Sequence, residues 1–278
     1  MVSGNYNATT GYHSGFSVTG SYNSAYGTNA GNGVSGSFNM GLGESAATSV
    51  TGNQNVGVGR NAGDLVRGND NTALGTAAGI NVTGNNNNAS GTSAGQNVTG
   101  DYNIAAGYVA GQNVSGANNI GEGSGAGRSV SGNRNNAQGY NSGNSVSGNQ
   151  NAAFGDQAGN TVSGGDNAAF GTTAGNNVTG SQNAGVGINA GTSVSGTSNV
   201  ALGNTSGNKV TGDNNVGVGT NAGTSVSGVS NVAMGNTTGQ KVTGDNNIGI
   251  GINSGSTVSG NRFCRARHHG FAQFRIWL

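Results

Sequence analysis

Catalysis and metal binding need nucleophiles, bases or ligands gathered at defined spacing, and such residues are sparse here. The 278 residues include nine Asp or Glu, ten Lys or Arg, three His and one Cys, for a formal net charge of +1. The acids, Glu44, Asp64, Asp70, Asp101, Glu122, Asp156, Asp166, Asp213 and Asp245, are scattered along the chain. His13 stands alone, and His268 with His269 brings no companion set at metal-ligand spacing. Patterns such as Gly57–Gly59 lack the following helix that a dinucleotide fingerprint requires. The expectation is therefore no catalytic residue, no metal ligand and no cofactor-binding residue, and a chain that is not an enzyme.

The remaining chemistry is equally restrained. Residues 1–261 carry six Lys or Arg against nine Asp or Glu, which argues against nucleic acid as a partner. No apolar run is long enough to span a bilayer, and the opening MVSGNYNATTG shows neither a basic nor an apolar signal region. Cys264 has no second cysteine to pair with inside the chain, so backbone pairing and packing must hold the fold.

What positions these residues is a repeat. Val followed two residues later by Gly recurs from Val2 through Val50, Val130 and Val210 to Val258, always sixteen residues apart, giving sixteen complete units without insertion or deletion. Counted from its Val, the unit reads V-[ST]-G-x-x-N-x-[GA]-x-G-x-x-[AS]-G-x-x. With 58 Gly, no Pro, 7% charged and 32% hydrophobic residues, the composition excludes collagen and does not match simple disorder. No apolar series at helical spacing runs through the unit, and its Gly content disfavours helix. The chain is expected to be all-β: a parallel β-solenoid, or β-roll, of about sixteen coils over residues 1–261.

Alternation places one strand at the seventh to ninth positions, as in Val56 and Val58, Val200 and Leu202, or Ile248 and Ile250. The larger outer pair is expected to face the core with the first-position Val and the thirteenth-position Ala or Ser, leaving Gly57, Ala201 or Gly249 on a flat outer face suited to association. On that reading Ser90, Ala106, Glu122 and Gln138, at the ninth position of successive coils, form the weakest stretch, because an inward charge costs several kcal/mol. Asn occupies the sixth position in all sixteen units, from Asn7 to Asn247. Two structural roles stay open for it: a stacked amide ladder, or a corner residue in left-handed geometry. Asp213 and Asp245 share the fourth position two coils apart, about 10 Å, too far to chelate one ion. The sequons beginning at Asn81, Asn97, Asn113 and Asn177 arise wherever Asn precedes V-[ST]-G.

The strand segments Asn55–Gly59 (NVGVG), Asn199–Gly203 (NVALG), Asn231–Gly235 (NVAMG) and Asn247–Gly251 (NIGIG) resemble the S-V-A-I-G core of the YadA-like head repeats of trimeric autotransporter adhesins. The resemblance covers residues 2–261, although the family's usual repeat is shorter. It implies a left-handed roll, a homotrimer, an extracellular or cell-surface location, and attachment to a host or extracellular-matrix surface. End-to-end filaments are the alternative assembly for open solenoid ends. A non-catalytic adhesive or structural fibre module is the expected function. A phage or virion tail-fibre shaft and an ice-binding solenoid are the alternatives, the latter weakened by the lack of a T-x-T row.

The tail, residues 262–278, abandons the repeat. Arg262, Arg265, Arg267 and Arg275 make it basic, and Phe263, Phe271, Phe274 and Trp277 are candidate anchors. It reads either as a cap on the last coil or as a terminus foreign to the array.

Overall fold

The computed structural model describes residues 2–267 and 274–277. His268, His269 and Phe271 lie outside the described residues, as do the side chains of Phe274 and Trp277. The chain divides into two units, Met1–Ser145 and Val146–Leu278, and the division falls at a repeat boundary. The first holds nine repeats; the second holds seven and continues from Val258 into the tail. The described residues contain strands and turns and no helix. Each unit is a parallel β-solenoid with one sixteen-residue repeat per coil.

Every coil pairs at its second position, in most together with the first, and carries a strand at positions seven to nine, extended by one residue in Ile248–Gly251. In the first unit Val98–Thr99 pairs in parallel with Val82–Thr83 and Val114–Ser115. Likewise Ile104, Ala105 and Ala106 stand against Ile120, Gly121 and Glu122. The second unit repeats this register, with Val200↔Val216 and Leu202↔Val218. Backbone bonds alternate in direction: the Val56 N–H donates to Asn71 O and the Gly59 N–H to Leu42 O, both at 2.8 Å.

Six of the sixteen residues have positive φ in every coil except Val242–Thr257, which has five. In the coil Val50–Leu65 these are Gly52 (134°), Gln54 (60°), Gly59 (126°), Asn61 (55°), Gly63 (66°) and Leu65 (58°). The glycine turns were legible in the repeat; the left-handed corners at the fifth, twelfth and sixteenth positions were not. At the third position glycine is required twice over. Its φ is left-handed, and a Cβ on Gly52 would stand 1.9 Å from the carbonyl oxygen of Gly68 in the next coil.

The core is narrower than the alternation suggested. Val50 and Ala62 are fully buried, and Gly57 and Asn55 are buried beside them. The expected inward pair turns outward: Leu42, Met234 and Ile250 are 47%, 43% and 46% exposed. The small eighth-position residues, Ala25, Ala73, Ala105 and Ala201, are the buried ones. The cause is the distance between opposite walls. A Cβ on Gly57 would reach within 2.3 Å of Ala62 O, and one on Gly31 within 2.6 Å of the Ala25 Cβ. One methyl group fills the gap, so a Val or Leu at this position has no room. The flat Gly/Ala face therefore lies inside, and Glu122, expected inward, is exposed and carries no burial cost.

The tail continues the sheet of the second unit. Phe263–Arg267 pairs in parallel with Ile248–Gly251, and Phe274–Trp277 returns antiparallel against it.

The narrow interior generates a reciprocal rule between the eighth and fourteenth positions: one of the two lacks a Cβ. The coil containing Gly41 is the only one with Ala at the fourteenth position, Ala47, and a Cβ on Gly41 would sit 3.0 Å from that of Ala47 and 2.6 Å from Ala46 O. Gly41→Ala is expected to destabilise the chain by about 1–3 kcal/mol through overpacking. Adding Ala47→Gly should recover most of that loss, since the coil then carries the same pair as Ala25 and Gly31. Urea denaturation of the two single variants and the double variant measures the coupling; additive losses would contradict the rule.

Candidate functional site

Asparagine at the sixth position makes an interior ladder, and this decides between its two readings. Asn55 Nδ2 donates to Asn39 Oδ1 (3.0 Å) and to Gly68 O (2.8 Å), while Asn39 Oδ1 also accepts the Asn55 backbone N–H (3.0 Å). The same set recurs at Asn103 in the first unit and at Asn215 in the second. The left-handed corner belongs to the preceding residue, Gln54 in this coil. At the tail, Asn247 Oδ1 accepts the Phe263 N–H at 2.9 Å, so the ladder ends on a satisfied acceptor.

A second row, at the fourth position, was not foreseen. Asn53 Oδ1 accepts the Ser37 N–H and Asn69 Oδ1 that of Asn53, each at 2.8 Å. Three of the acids serve this row: Asp101 accepts from Asn85 N, Asp213 from Thr197 N and Asp245 from Val229 N, at 2.6, 2.7 and 2.8 Å. These carboxylates thus replace an Asn side chain as caps on backbone amides. Asp64 accepts the Thr48 hydroxyl, and Glu44, Asp70, Asp156 and Asp166 are exposed on separate coils. His13 is exposed beside Tyr12, their rings 4.1 Å apart. Among the described residues no group of three or more His, Cys, Asp or Glu stands close enough to hold a metal ion. An interior gap lined by Val18, Asn23, Ala25 and Gly41 measures about 10 Å³, room for one water at most. No helix among the described residues is long and apolar enough to cross a membrane.

The surface is where the chain is distinctive. Within each unit the outward side chains at positions seven and nine form two continuous rows, because parallel pairing sets equivalent residues beside each other. In the second unit the ninth-position row runs Phe154, Phe170, Val186, Leu202, Val218, Met234, Ile250. The Phe154 and Phe170 rings stack at 5.0 Å. In the first unit Tyr26, Leu42, Val58 and Leu74 form an apolar stretch, followed by Ser90, Ala106, Glu122 and Gln138. Elsewhere in that unit, Tyr6, Tyr22 and Phe38 stack at 5.0 and 4.9 Å along the fifth position. The second position presents an exposed polar row, including Thr83, Thr99 and Ser115.

Alternation located the outward rows in the sequence but not their direction. The signal that settles direction is the eighth position, which is Gly or Ala in every complete repeat except at Thr9: residues held that small mark the cramped side. No family model and no curated protein matches the chain.

The interior ladder predicts a large effect from a small change. Asn103→Leu leaves Gly116 O and the backbone and side-chain N–H groups of Asn119 without their partner. A loss of about 3 kcal/mol or more is expected in chemical denaturation. Thr51→Ala, on the exposed second-position row, should stay within about 0.5 kcal/mol of the parent. A buried hydroxyl gives the opposite sign. Ser206 Oγ is fully buried and unpartnered, whereas Ser14 Oγ donates to Ala25 O at 3.0 Å. Ser206→Ala, matching the thirteenth position of most coils, should raise stability by about 1 kcal/mol in the same assay.

Proposed function

We propose that the chain is a non-catalytic structural module of an extracellular adhesive fibre, and that it self-associates as a homotrimer through the outward rows of the seventh and ninth positions. The observation that carries this reading is the continuous apolar surface of those rows. In the second unit Phe170, Val186, Leu202, Met234, Ile248 and Ile250 are each 37–46% exposed and stand along rows in parallel register, a contiguous apolar patch of the kind that marks an interaction surface. A second copy supplies a face of the same period, so every coil finds a matching coil. The resemblance of NVALG and NIGIG to adhesin head repeats supports three copies and a surface location. Repetition also suits adhesion, since many weak equivalent contacts add by avidity.

Sedimentation equilibrium tests the assembly. The parent chain is expected to be trimeric at micromolar concentration, and Leu202→Glu with Met234→Glu should give a monomer that keeps its β circular-dichroism spectrum. A stable monomer of the parent would reject self-association. Binding to collagen-coated and cell surfaces, measured beside thermal hysteresis, tests the adhesive role: hysteresis without adhesion would move the function to the second-position Ser/Thr row and to ice.

A further inference from the structure

Glu122 is the only charged side chain on the seventh- and ninth-position rows between Val2 and Asn261. It is exposed, in register with Ala106 on one side and Gln138 on the other. The adjoining seventh-position row offers Ile104, Ile120 and Asn136, none of them ionisable. The nearest titratable neighbours in the eleventh-position row are the exposed phenols Tyr108 and Tyr140. The other charges of these coils, Asp101, Arg128 and Arg134, belong to the fourth, fifteenth and fifth positions, off both rows, and Asp101 is engaged by the Asn85 N–H. Among the described residues no cation stands on the rows to neutralise Glu122.

We infer that Glu122 makes association through these rows acid-strengthened, the carboxylates of the associated copies facing one another about their shared axis. The inference rests on the self-association proposed above. Register follows from the row pattern of the first unit. Its apolar stretch ends at Leu74, and the next four coils carry Asn88 with Ser90, Ala106, Glu122, and Asn136 with Gln138. Slipping one copy by a coil sets Leu74 against Ser90 and leaves polar groups covered by apolar ones, which is costly. Matching the copies in register instead lets amide meet amide, in the way that one polar layer fixes the register of a coiled coil. The same register brings Glu122 against its own copies. Like carboxylates sharing a site cannot all ionise freely, so at least one has its pKa raised on association. A group whose pKa is higher in the associated state takes up a proton as the complex forms. Association is then strongest at low pH and weakens as pH rises through that raised value.

Sedimentation equilibrium of the full chain at pH 7.5 and pH 5.0 tests this, with Glu122→Gln and Asp101→Asn as variants. For the parent, the apparent dissociation constant should fall severalfold on acidification to pH 5.0, since a one-unit rise in a carboxylate pKa reaches its full tenfold effect only below the free value of about 4.3. Glu122→Gln should associate tightly at both pH values, within about twofold. Asp101→Asn, which keeps the amide-capping oxygen, should follow the parent. Retention of the parental pH dependence by Glu122→Gln, or a parent that associates equally at both pH values, overturns the inference while leaving self-association standing. Chains that stay monomeric throughout overturn both.

Discussion

Opposite walls of each coil approach until a single methyl group fills the space between them, and most other features follow from that distance. It confines the eighth position to Gly or Ala in nearly every coil, and it forbids a second Cβ at the fourteenth. With so little interior volume, a coil buries one Val, one or two methyl groups and an Asn side chain. The larger aliphatic residues are then left outside, where they line the surface in rows rather than filling a core. An inward-facing Leu would need the walls to part, and parting them would break the backbone bonds that join each coil to the next.

A core this thin cannot hold its register by apolar packing alone, and the Asn ladder supplies what packing lacks. Each amide donates to its predecessor's oxygen and to a turn carbonyl thirteen residues ahead, so it ties two levels of the coil stack and one corner together. Hydrogen bonds chained in this way polarise one another in a low-dielectric interior. The fourth-position row does the same work at the surface, where Asn and Asp oxygens meet amides of the preceding coil. Asp substitutes freely there because the required partner is a donor. At the sixth position Asn must both donate and accept, and all sixteen repeats keep it.

Period, strand location, parallel pairing and the glycine turns were readable in the sequence, since each leaves a mark at a fixed place in the repeat. The inward face was not read correctly. Alternation says that Val56 and Val58 lie opposite Gly57, but burial of the larger pair is only a habit of wider folds; the decisive quantity, wall separation, depends on how the turns at Gly59 and Gly63 bring Ala62 across. The left-handed corners at Gln54, Asn61 and Leu65 were missed for a related reason: three different side chains occupy them, so composition gives no steady signal. The amide-capping role of Asp101, Asp213 and Asp245 was hidden because their partners sit a full repeat away.

Geometry of this kind also shapes what the molecule can do. Turning the aliphatic residues outward removes stabilisation from the single chain and transfers it to any surface able to cover the rows. A partner with a different period would drift out of step along the rows, losing contact after a few coils, whereas a copy of the same chain keeps step throughout. Strict periodicity alone, however, would let copies bind at many offsets with nearly equal energy. In the proposed assembly the polar residues Asn88, Ser90, Glu122, Asn136 and Gln138 would remove that degeneracy, because only one offset sets them against their equals. On this view the least apolar stretch of the first unit is not a defect in the repeat. In the proposed self-association it would trade some affinity for a single alignment, and Glu122, harmless on an exposed row, would bear on binding only when that alignment is reached.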